Sequence, residues 1–505
     1  MSGLVAGYGQ PNREHVATML ERIRHRGRAL SGICRQRRAM LAQTYGKADV
    51  AADEEVSQVP FADPQHGGPS ICYDGQIGNW AELAARHGVA DGPFREERLL
   101  LQLYRKHGRD MLRHLGDAIF AFIISDGQEF FAARDLLGIK TLFYGRHEGT
   151  LYLASELKSL RAVTDDVREF PEGHFMDSRG RLTRFAALPD SPEVMENELP
   201  QILGDVTDII ERSVRNRVDF ARPTAALLSG GMDSSVISCL SSRLYKERFG
   251  EGARLETFAM GVGESADIRN ARIVAQHIGS DHHELIVGMK ELLEALPEVV
   301  YYLESFDPSL VRSSVSNYLI SRRASEEGIE VLLSGEGGDE IFCGYTYLKD
   351  CPLDQLTARQ IECLGYLHSN ASLRLDRMNQ CHGVRVVAPL ISGELLDYAL
   401  RIPPEYKQKP EGARKIEKWI LRKAYESELP QAIVWRAKQE FSEGSGSADV
   451  LLGYFDDAID DDEFAQARRE HRLLRSKEEY YYFRIFAEHF GTERAVGTVG
   501  QWISL

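Results

Sequence analysis

The sequence predicts a chain of mixed class: an antiparallel α+β sandwich over residues 1–190, then a parallel sheet with covering helices over residues 200–505. Three observations predict it. The 505 residues exceed what one compact core holds. The first part is dense in short apolar strands. From about residue 200 such strands alternate with helical patterns, the signature of βαβ units. Leu188-Pro189-Asp190-Ser191-Pro192-Glu193 reads as the boundary.

In the first domain the strands expected are Ser70–Tyr73, Ala118–Ile124, Glu129–Ala133 and Thr150–Ala154. Helices are expected at His15–Arg26 and Glu96–Arg105. In the second, strand and helix pair three times: Thr224–Leu228 with 234–246, Leu255–Met260 with 267–277, and His283–Val287 with 289–303. Beyond about residue 350 the pattern is largely helical, with an acidic run, Asp456 to Glu463, preceding a basic helix, Arg468 to Lys477. Both read as solvated surface.

Composition excludes several classes. Net charge is −15, the wrong sign for a general nucleic-acid binder, and Arg35-Gln36-Arg37-Arg38 reads as solvated surface or, as the alternative, a local anion site. Hydrophobic content of 43% and charged content of 27% are those of a soluble globular protein. Cys34, Cys72, Cys239, Cys343, Cys351, Cys363 and Cys381 form no CxxC pair, so a zinc site is not expected and reduced cytoplasmic thiols are. No apolar stretch reaches the ~18 residues of a membrane span, and no signal peptide is expected.

The most informative stretch is Ala226-Leu227-Leu228-Ser229-Gly230-Gly231-Met232-Asp233-Ser234-Ser235. It reads as strand, tight loop and helix start. Glycines let backbone N–H groups approach a ligand, and the helix N-terminus adds partial positive charge, so the loop suits a phosphate. Asp233 is a hard oxygen ligand for Mg²⁺ on a polyphosphate. No Gly-Lys-Ser/Thr follows, so this is not a Walker loop. It resembles the pyrophosphate loop of ATP pyrophosphatases, which split ATP into AMP and pyrophosphate.

Further segments extend the resemblance over nearly the whole chain: Leu333-Ser334-Gly335-Glu336-Gly337-Gly338-Asp339-Glu340-Ile341-Phe342, Thr257-Phe258-Ala259-Met260-Gly261, Glu417-Lys418-Trp419-Ile420-Leu421-Arg422 and Trp435-Arg436-Ala437-Lys438-Gln439-Glu440-Phe441-Ser442. In the first domain Arg134–Lys140 and Ala154-Ser155-Glu156-Leu157-Lys158 join them. Together they resemble the class B, glutamine-type asparagine synthetases and the related β-lactam synthetase. The resemblance implies an N-terminal Ntn-hydrolase-like glutaminase domain and a C-terminal synthetase domain of ATP-pyrophosphatase type, which adenylates a carboxylate and lets an amine displace AMP. It implies ATP and Mg²⁺ as cofactors, and the family is often homodimeric. By resemblance Ser229, Gly230, Gly231, Ser234 and Ser235 cradle phosphates, and Asp233 and Asp339 hold the metal. Leu227, Met260 and Gly335 surround adenosine, while Lys418 and Lys438 meet pyrophosphate and developing charge. Glu336, three residues before Asp339, is the candidate base for the amine, against a reading as a hydrogen-bonding turn residue.

The front domain departs from the family. Active members begin Met-Cys-Gly, with the cysteine as nucleophile; here Met1-Ser2-Gly3 stands, and a hydroxyl is a poor nucleophile without a good base. The family's Tyr-Asn-Gly-Glu becomes Tyr73-Asp74-Gly75-Gln76, which replaces an oxyanion donor by an acceptor. Arg95, in Phe94-Arg95-Glu96-Glu97, stands where an aspartate would meet the substrate ammonium, and Arg-Gly-Pro-Asp has become Arg26-Gly27-Arg28-Ala29. These changes predict a degenerate glutaminase site at Ser2, Asp74, Gly75 and Arg95. The synthetase half differs too. Asp376 to Ser392 aligns with the family's DRMSMAHGLEARVPFLD, placing Arg385 at its Glu. Arg385 reads either as a binder of an extra carboxylate or as one half of an exchanged salt bridge. Arg312, in Asp307-Pro308-Ser309-Leu310-Val311-Arg312, keeps the asparagine synthetase pattern as a pocket residue. The Tyr–Glu pair of β-lactam synthetase falls at Glu336 and Arg377.

The expected protein is therefore a cytoplasmic AMP-forming carbon–nitrogen ligase, acting on a small carboxylate and an amine other than glutamine, with β-lactam-type closure in antibiotic or toxin biosynthesis as one form. It takes no nucleic acid or membrane as partner. The competing expectations are an asparagine synthetase using ammonia or glutamine and a non-catalytic pseudoenzyme.

Overall fold

The computed structural model describes residues 2–47, 59–62, 68–412, 414–439 and 441–500. Met1 and Glu440, quoted in the motifs above, lie outside them. The chain divides into two compact units, one built mainly from Met1–Leu188 and one from Pro189–Asn379 and Val386–Gly491.

The first unit holds two six-stranded antiparallel sheets. One carries β1 (Ser2–Tyr8), β2 (Leu30–Gln36), β3 (Ala39–Tyr45), β8 (Phe143–His147), β9 (Thr150–Ala154) and β10 (Arg168–Glu169), in the order β10-β8-β9-β1-β3-β2. The other carries β4 (Phe61–Ala62), β5 (Ser70–Ile77), β6 (Ala118–Ser125), β7 (Phe130–Arg134), β11 (His174–Asp177) and β12 (Leu182–Arg184), in the order β12-β11-β7-β6-β5-β4. Alternation along the strands makes the layers. On β6, Ala121 and Ile123 join Leu4, Ala6 and Leu41 of the facing sheet in one core. Phe120, Phe122 and Ile124 point the other way and pack with Leu83 of α2 (Trp80–His87) and Leu99 and Leu103 of α3 (Arg95–His107). With α1 (Arg13–Arg22) and α4 (Leu157–Arg161) against the first sheet, the unit is an αββα sandwich.

The second unit is built on a five-stranded sheet in the order β15-β14-β13-β16-β17, from β13 (Thr224–Leu227), β14 (Glu256–Val262), β15 (Asp281–Val287), β16 (Val331–Leu333) and β17 (Arg385–Val387). β13 runs parallel to both β14 and β16. The chain builds outward from β13 through β14 to β15, then returns to place β16 on the other side. The loops after β13 and β16 therefore diverge at a topological switch point, where α/β sheets bind ligands. The helices that matter below are α5 (Leu199–Arg217), α6 (Met232–Phe249), α7 (Ala266–Ile278), α8 (Met289–Leu303), α9 (Pro308–Glu326) and α10 (Gly338–Ile341). Asp307 caps α9, accepting from Leu310 N at 3.1 Å, with Pro308 in the first turn, where its missing N–H costs nothing.

One expectation fails at the C-terminal end. The acidic run and the basic stretch do not follow one another as separate pieces. A single helix, Asp461–Glu470, carries acids in its first turn and Arg468 and Arg469 in its last, capped by the Asp460 side chain. That arrangement complements the helix dipole. Lys477 opens the next helix, Lys477–Phe490.

Candidate active site

A cleft in the second unit opens at the switch point. Its walls are the loop after β13, the end of β14, the turn after β16, one face of α9, helix Ala371–Gln380 and the segment around Lys418 and Lys438. The loop after β13 turns because Gly230 adopts φ +68°, and a Cβ there would meet the backbone of Asn270 on α7. Ser229 and Ser234 tie the turn together, their hydroxyls 3.1 Å apart. Gly231, the N-cap of α6, supplies no side-chain acceptor to the helix, so the first N–H groups remain for an anion.

Behind this loop the acidic turn closes in. Cβ atoms on Gly335 or Gly338 would lie 2.5 Å from atoms of Asp233, so only glycine lets the two loops approach. Asp233 and Asp339 consequently converge on one ammonium: Lys418 Nζ hydrogen-bonds Asp233 Oδ2 and lies 2.6 Å from Asp339 Oδ1. Lys438 Nζ donates to Asp339 Oδ2 at 2.8 Å. Burial raises the Asp339 carboxyl, but Lys418 and Lys438 outweigh it and hold it well below the usual carboxylate range. Asp233 Oδ1 is buried with no hydrogen-bond partner among the described residues. Two convergent carboxylates with an unspent oxygen fit a hard divalent cation such as Mg²⁺.

Leu227, Ser229, Gly231, Asp233, Ser234, Met260, Gly335, Glu336, Asp339, Lys418 and Lys438 all line this one cleft. Ser235 does not; it is fully buried within α6, and Gly230 contributes the shape of the turn. Glu336 faces the cleft with its Oε2 accepting from Arg374 at 2.5 Å, so serving as a base requires that guanidinium to yield to the incoming amine.

Two sequence-predicted pocket residues lie elsewhere. Arg312 is on α9 but is not among the cleft's lining residues, and its Nε sits 3.6 Å from Glu478. Arg385 does not line the cleft either. Burial raises the Glu96 carboxyl, while the Tyr73 hydroxyl and the Arg385 charge pull it back. Arg377 is buried in an ion pair with Glu304 at 2.9 Å.

Sequence reasoning missed Arg374, Arg422, Arg436, Asp267 and the α9 residues Ser309, Ser313 and Asn317, all of which line the cleft. Arg436 donates to Gly230 O at 2.8 Å and approaches Asp267 to 3.5 Å. Burial, opposed by Arg436, lifts the Asp267 carboxyl to about 6. The signal for the α9 residues was available as their i, i+4, i+8 spacing.

In the first unit Ser2 lies buried at the start of β1. Ser2 is 3% exposed, and its Oγ donates to Tyr73 O at 2.6 Å. Asp74 accepts from Ser2 N at 3.3 Å and from Arg26 at 3.0 Å, with Lys140 Nζ 3.4 Å away. Arg26 also reaches Glu156 at 2.8 Å, and Lys158 holds the other oxygen of Glu156 at 2.6 Å. Asp74 is an acceptor here, with Arg26 and Lys140 against its carboxylate. The Arg95 guanidinium lies 4.6 Å from the Trp80 ring centre and 3.5 Å from Asp91. Gly75 continues β5 opposite Phe120.

An αββα sandwich joined to a parallel sheet of ATP-pyrophosphatase type, with an acid–lysine cluster at its switch point, defines a class of two-unit amide-forming enzymes. Residues 205–365 and 352–501 match the asparagine synthase family, and residues 1–178 match the glutamine amidotransferase domain family. The chain belongs to the asparagine synthetase family. It is 33% identical to a probable glutamine-hydrolyzing asparagine synthetase of Schizosaccharomyces pombe, over 96% of this chain and 91% of that protein. It is 34% identical to glutamine-hydrolyzing asparagine synthetase B of Escherichia coli, over 93% of this chain and 86% of that one.

Proposed function

We propose that residues 200–505 form an AMP-forming carbon–nitrogen ligase and that residues 1–190 are a glutaminase-like scaffold that no longer supplies nitrogen. A carboxylate oxygen attacks the α-phosphorus of ATP and pyrophosphate leaves. An amine nitrogen then attacks the acyl carbon, loses a proton and expels AMP. The convergence of Asp233, Asp339, Lys418 and Lys438 beside the open N-terminus of α6 supports this reading, because cations and N–H donors gathered together suit developing phosphate charge. Mg²⁺ held by Asp233 and Asp339 would neutralise phosphate oxygens. Glu336 is the acceptor for the amine proton.

The choice of amine rests on the first unit. The Ser2 hydroxyl is committed to Tyr73 O, and the carboxylates of Asp74 and Glu156 near it are held by Arg26, Lys140 and Lys158, which supports this reading. An intramolecular amine, as in β-lactam-type closure within antibiotic biosynthesis, and a second small molecule both satisfy the chemistry. Closure would use Glu336, since Arg377 is spent on Glu304. The test is pyrophosphate release over a panel of amino and diamino acids, with and without glutamine. Release that needs a carboxylate and an amine, with no glutamate formed, supports the proposal. Release seen only with aspartate plus glutamine overturns it.

The family membership favours a second reading, asparagine synthesis from aspartate with ammonia or glutamine. The same panel separates the two by the appearance of asparagine. Failure to bind ATP with Mg²⁺ at all would leave only a non-catalytic role.

A further inference from the structure

Where the parallel strands of the second unit begin, a cluster of side chains stands apart from the acid–lysine site. β14 starts at Glu256, β15 carries His283 as its third residue, and Glu327 is the C-cap of α9. Parallel pairing sets Phe258 beside His283. Glu256, two residues before Phe258, shares its face of the sheet. The His283 imidazole stacks on the Phe258 ring, with centres 4.7 Å apart and planes 12° apart, and the stack fixes the imidazole plane. His282 occupies the opposite face, its Nδ1 2.9 Å from Thr257 Oγ1. Glu256 Oε2 lies 3.4 Å from His283 Nε2, and Glu327 Oε2 lies 3.2 Å from His283 Nδ1. One ligand atom from each of the three residues lies within 4.8 Å of the other two.

Two features count against a plain ion-pair cluster. His283 Nε2 is shielded from solvent yet makes no hydrogen bond among the described residues. Glu256 Oε2 is near it, but at 3.4 Å the oxygen is not in the line that a ring N–H needs. The second feature is the end of α9. Glu326 and Glu327 stand where the helix carbonyls already gather negative charge, so acids there are unfavourable without a cation. Arg323 meets Glu327 Oε1 at 2.5 Å and leaves Oε2 toward the imidazole.

We propose that Glu256, His283 and Glu327 form a binding site for a divalent transition metal of the zinc class. One imidazole and two carboxylates make a mixed nitrogen and oxygen set that zinc accepts, and three protein ligands leave a fourth position for water. Ligand atoms about 2.0–2.2 Å from a tetrahedral zinc stand about 3.4 Å from one another. The two approaches to the imidazole already have that spacing. A metal takes a single ring nitrogen, so the farther carboxylate swings inward by rotation of its flexible glutamate side chain. The bound ion ties the C-terminus of α9 to two strands of the sheet. Mg²⁺ prefers oxygen and water ligands and does not compete here. The site is independent of the ligase reading and of the cation at Asp233 and Asp339.

The experiment titrates Zn²⁺ into metal-stripped full-length protein by calorimetry, with excess Mg²⁺ to occupy the cleft acids. Wild type is compared with Glu256→Gln, Glu327→Gln and His283→Phe. Glutamine keeps the shape of glutamate, and phenylalanine keeps a ring on Phe258. Circular dichroism without metal checks folding, and a variant that fails to fold is set aside while the others decide. The Glu256 side chain is 40% exposed, so its amide variant is expected to fold. Wild type should bind one Zn²⁺ with a Kd of about 10 μM or below, and each variant should bind that ion about thirtyfold more weakly. A loss of about tenfold or more in every folded variant upholds the site. A smaller loss in any of them, or no wild-type ion tighter than about 100 μM, overturns it. The cluster would then be an ion pair in which a protonated His283 joins two carboxylates.

Discussion

Lys407 shows how single residues behind the cleft hold its geometry. It is fully buried, and its Nζ donates to Gln360 Oε1 at 2.7 Å, while Gln360 Nε2 donates to Ile341 O at 2.5 Å. Ile341 ends α10, the turn that carries Asp339, so the pair braces the acidic turn from behind. Burial lowers the Lys407 ammonium to about 8. Between that value and the ordinary lysine value the unfolded chain binds more protons than the folded one, so stability rises with pH in that window. Below about pH 8 both states are protonated and the burial cost is felt in full. Lys407→Met should therefore be relatively most stable near neutral pH, and wild type should regain about 3 kcal/mol on it between pH 7.5 and 10.5. Urea unfolding across that range checks this; parallel pH profiles for the two proteins would contradict it.

At the scale of elements, the cleft depends on how closely the turn after β16 approaches the start of α6. Gly335 and Gly338 make that approach, and a side chain at either collides with Asp233. Gly344 plays the same part on the far side of α10, where a Cβ would meet Lys418. Gly335→Ala is expected to push the two loops apart by a fraction of an ångström to about one ångström. Displacements of that size cost about a hundredfold in rate. Pyrophosphate release should fall by that factor while the far-ultraviolet circular dichroism stays unchanged. Retention of more than half the activity would show that the loops tolerate separation.

Across the whole molecule, the two units contrast. The second gathers acids, lysines and open helix N–H groups along one cleft; in the first, Asp74, Arg26, Glu156 and Lys158 are bound to one another around Ser2. Under the proposed scaffold role this site holds no glutamine. Ser2→Ala should leave amine-dependent product formation within about twofold of wild type, and wild type should release no glutamate from glutamine above the rate of boiled protein. Glutamate release that keeps pace with product and is lost in Ser2→Ala would return a glutaminase to the first unit.

Periodicity carried much of the fold. Thr150–Ala154 and the helix over 289–303 fall where alternation and the 3.6-residue repeat put them, because both patterns record burial on one face. The loop residues Ser229, Gly231, Asp233 and Ser234 were legible for a related reason: tight turns and open helix N-termini have few chemical solutions. What the sequence could not determine was partnership across long separations. Asp74 is neutralised by Arg26 and Lys140, Arg312 turns away to Glu478, and Lys418 reaches Asp233 across 185 positions. Local pattern tells which residues are inside and what chemistry they can offer. Only the packing of distant segments decides whether a buried charge is spent on a neighbour or kept for a ligand, since the cost of leaving it unpaired is settled by whatever the fold brings within about 3 Å.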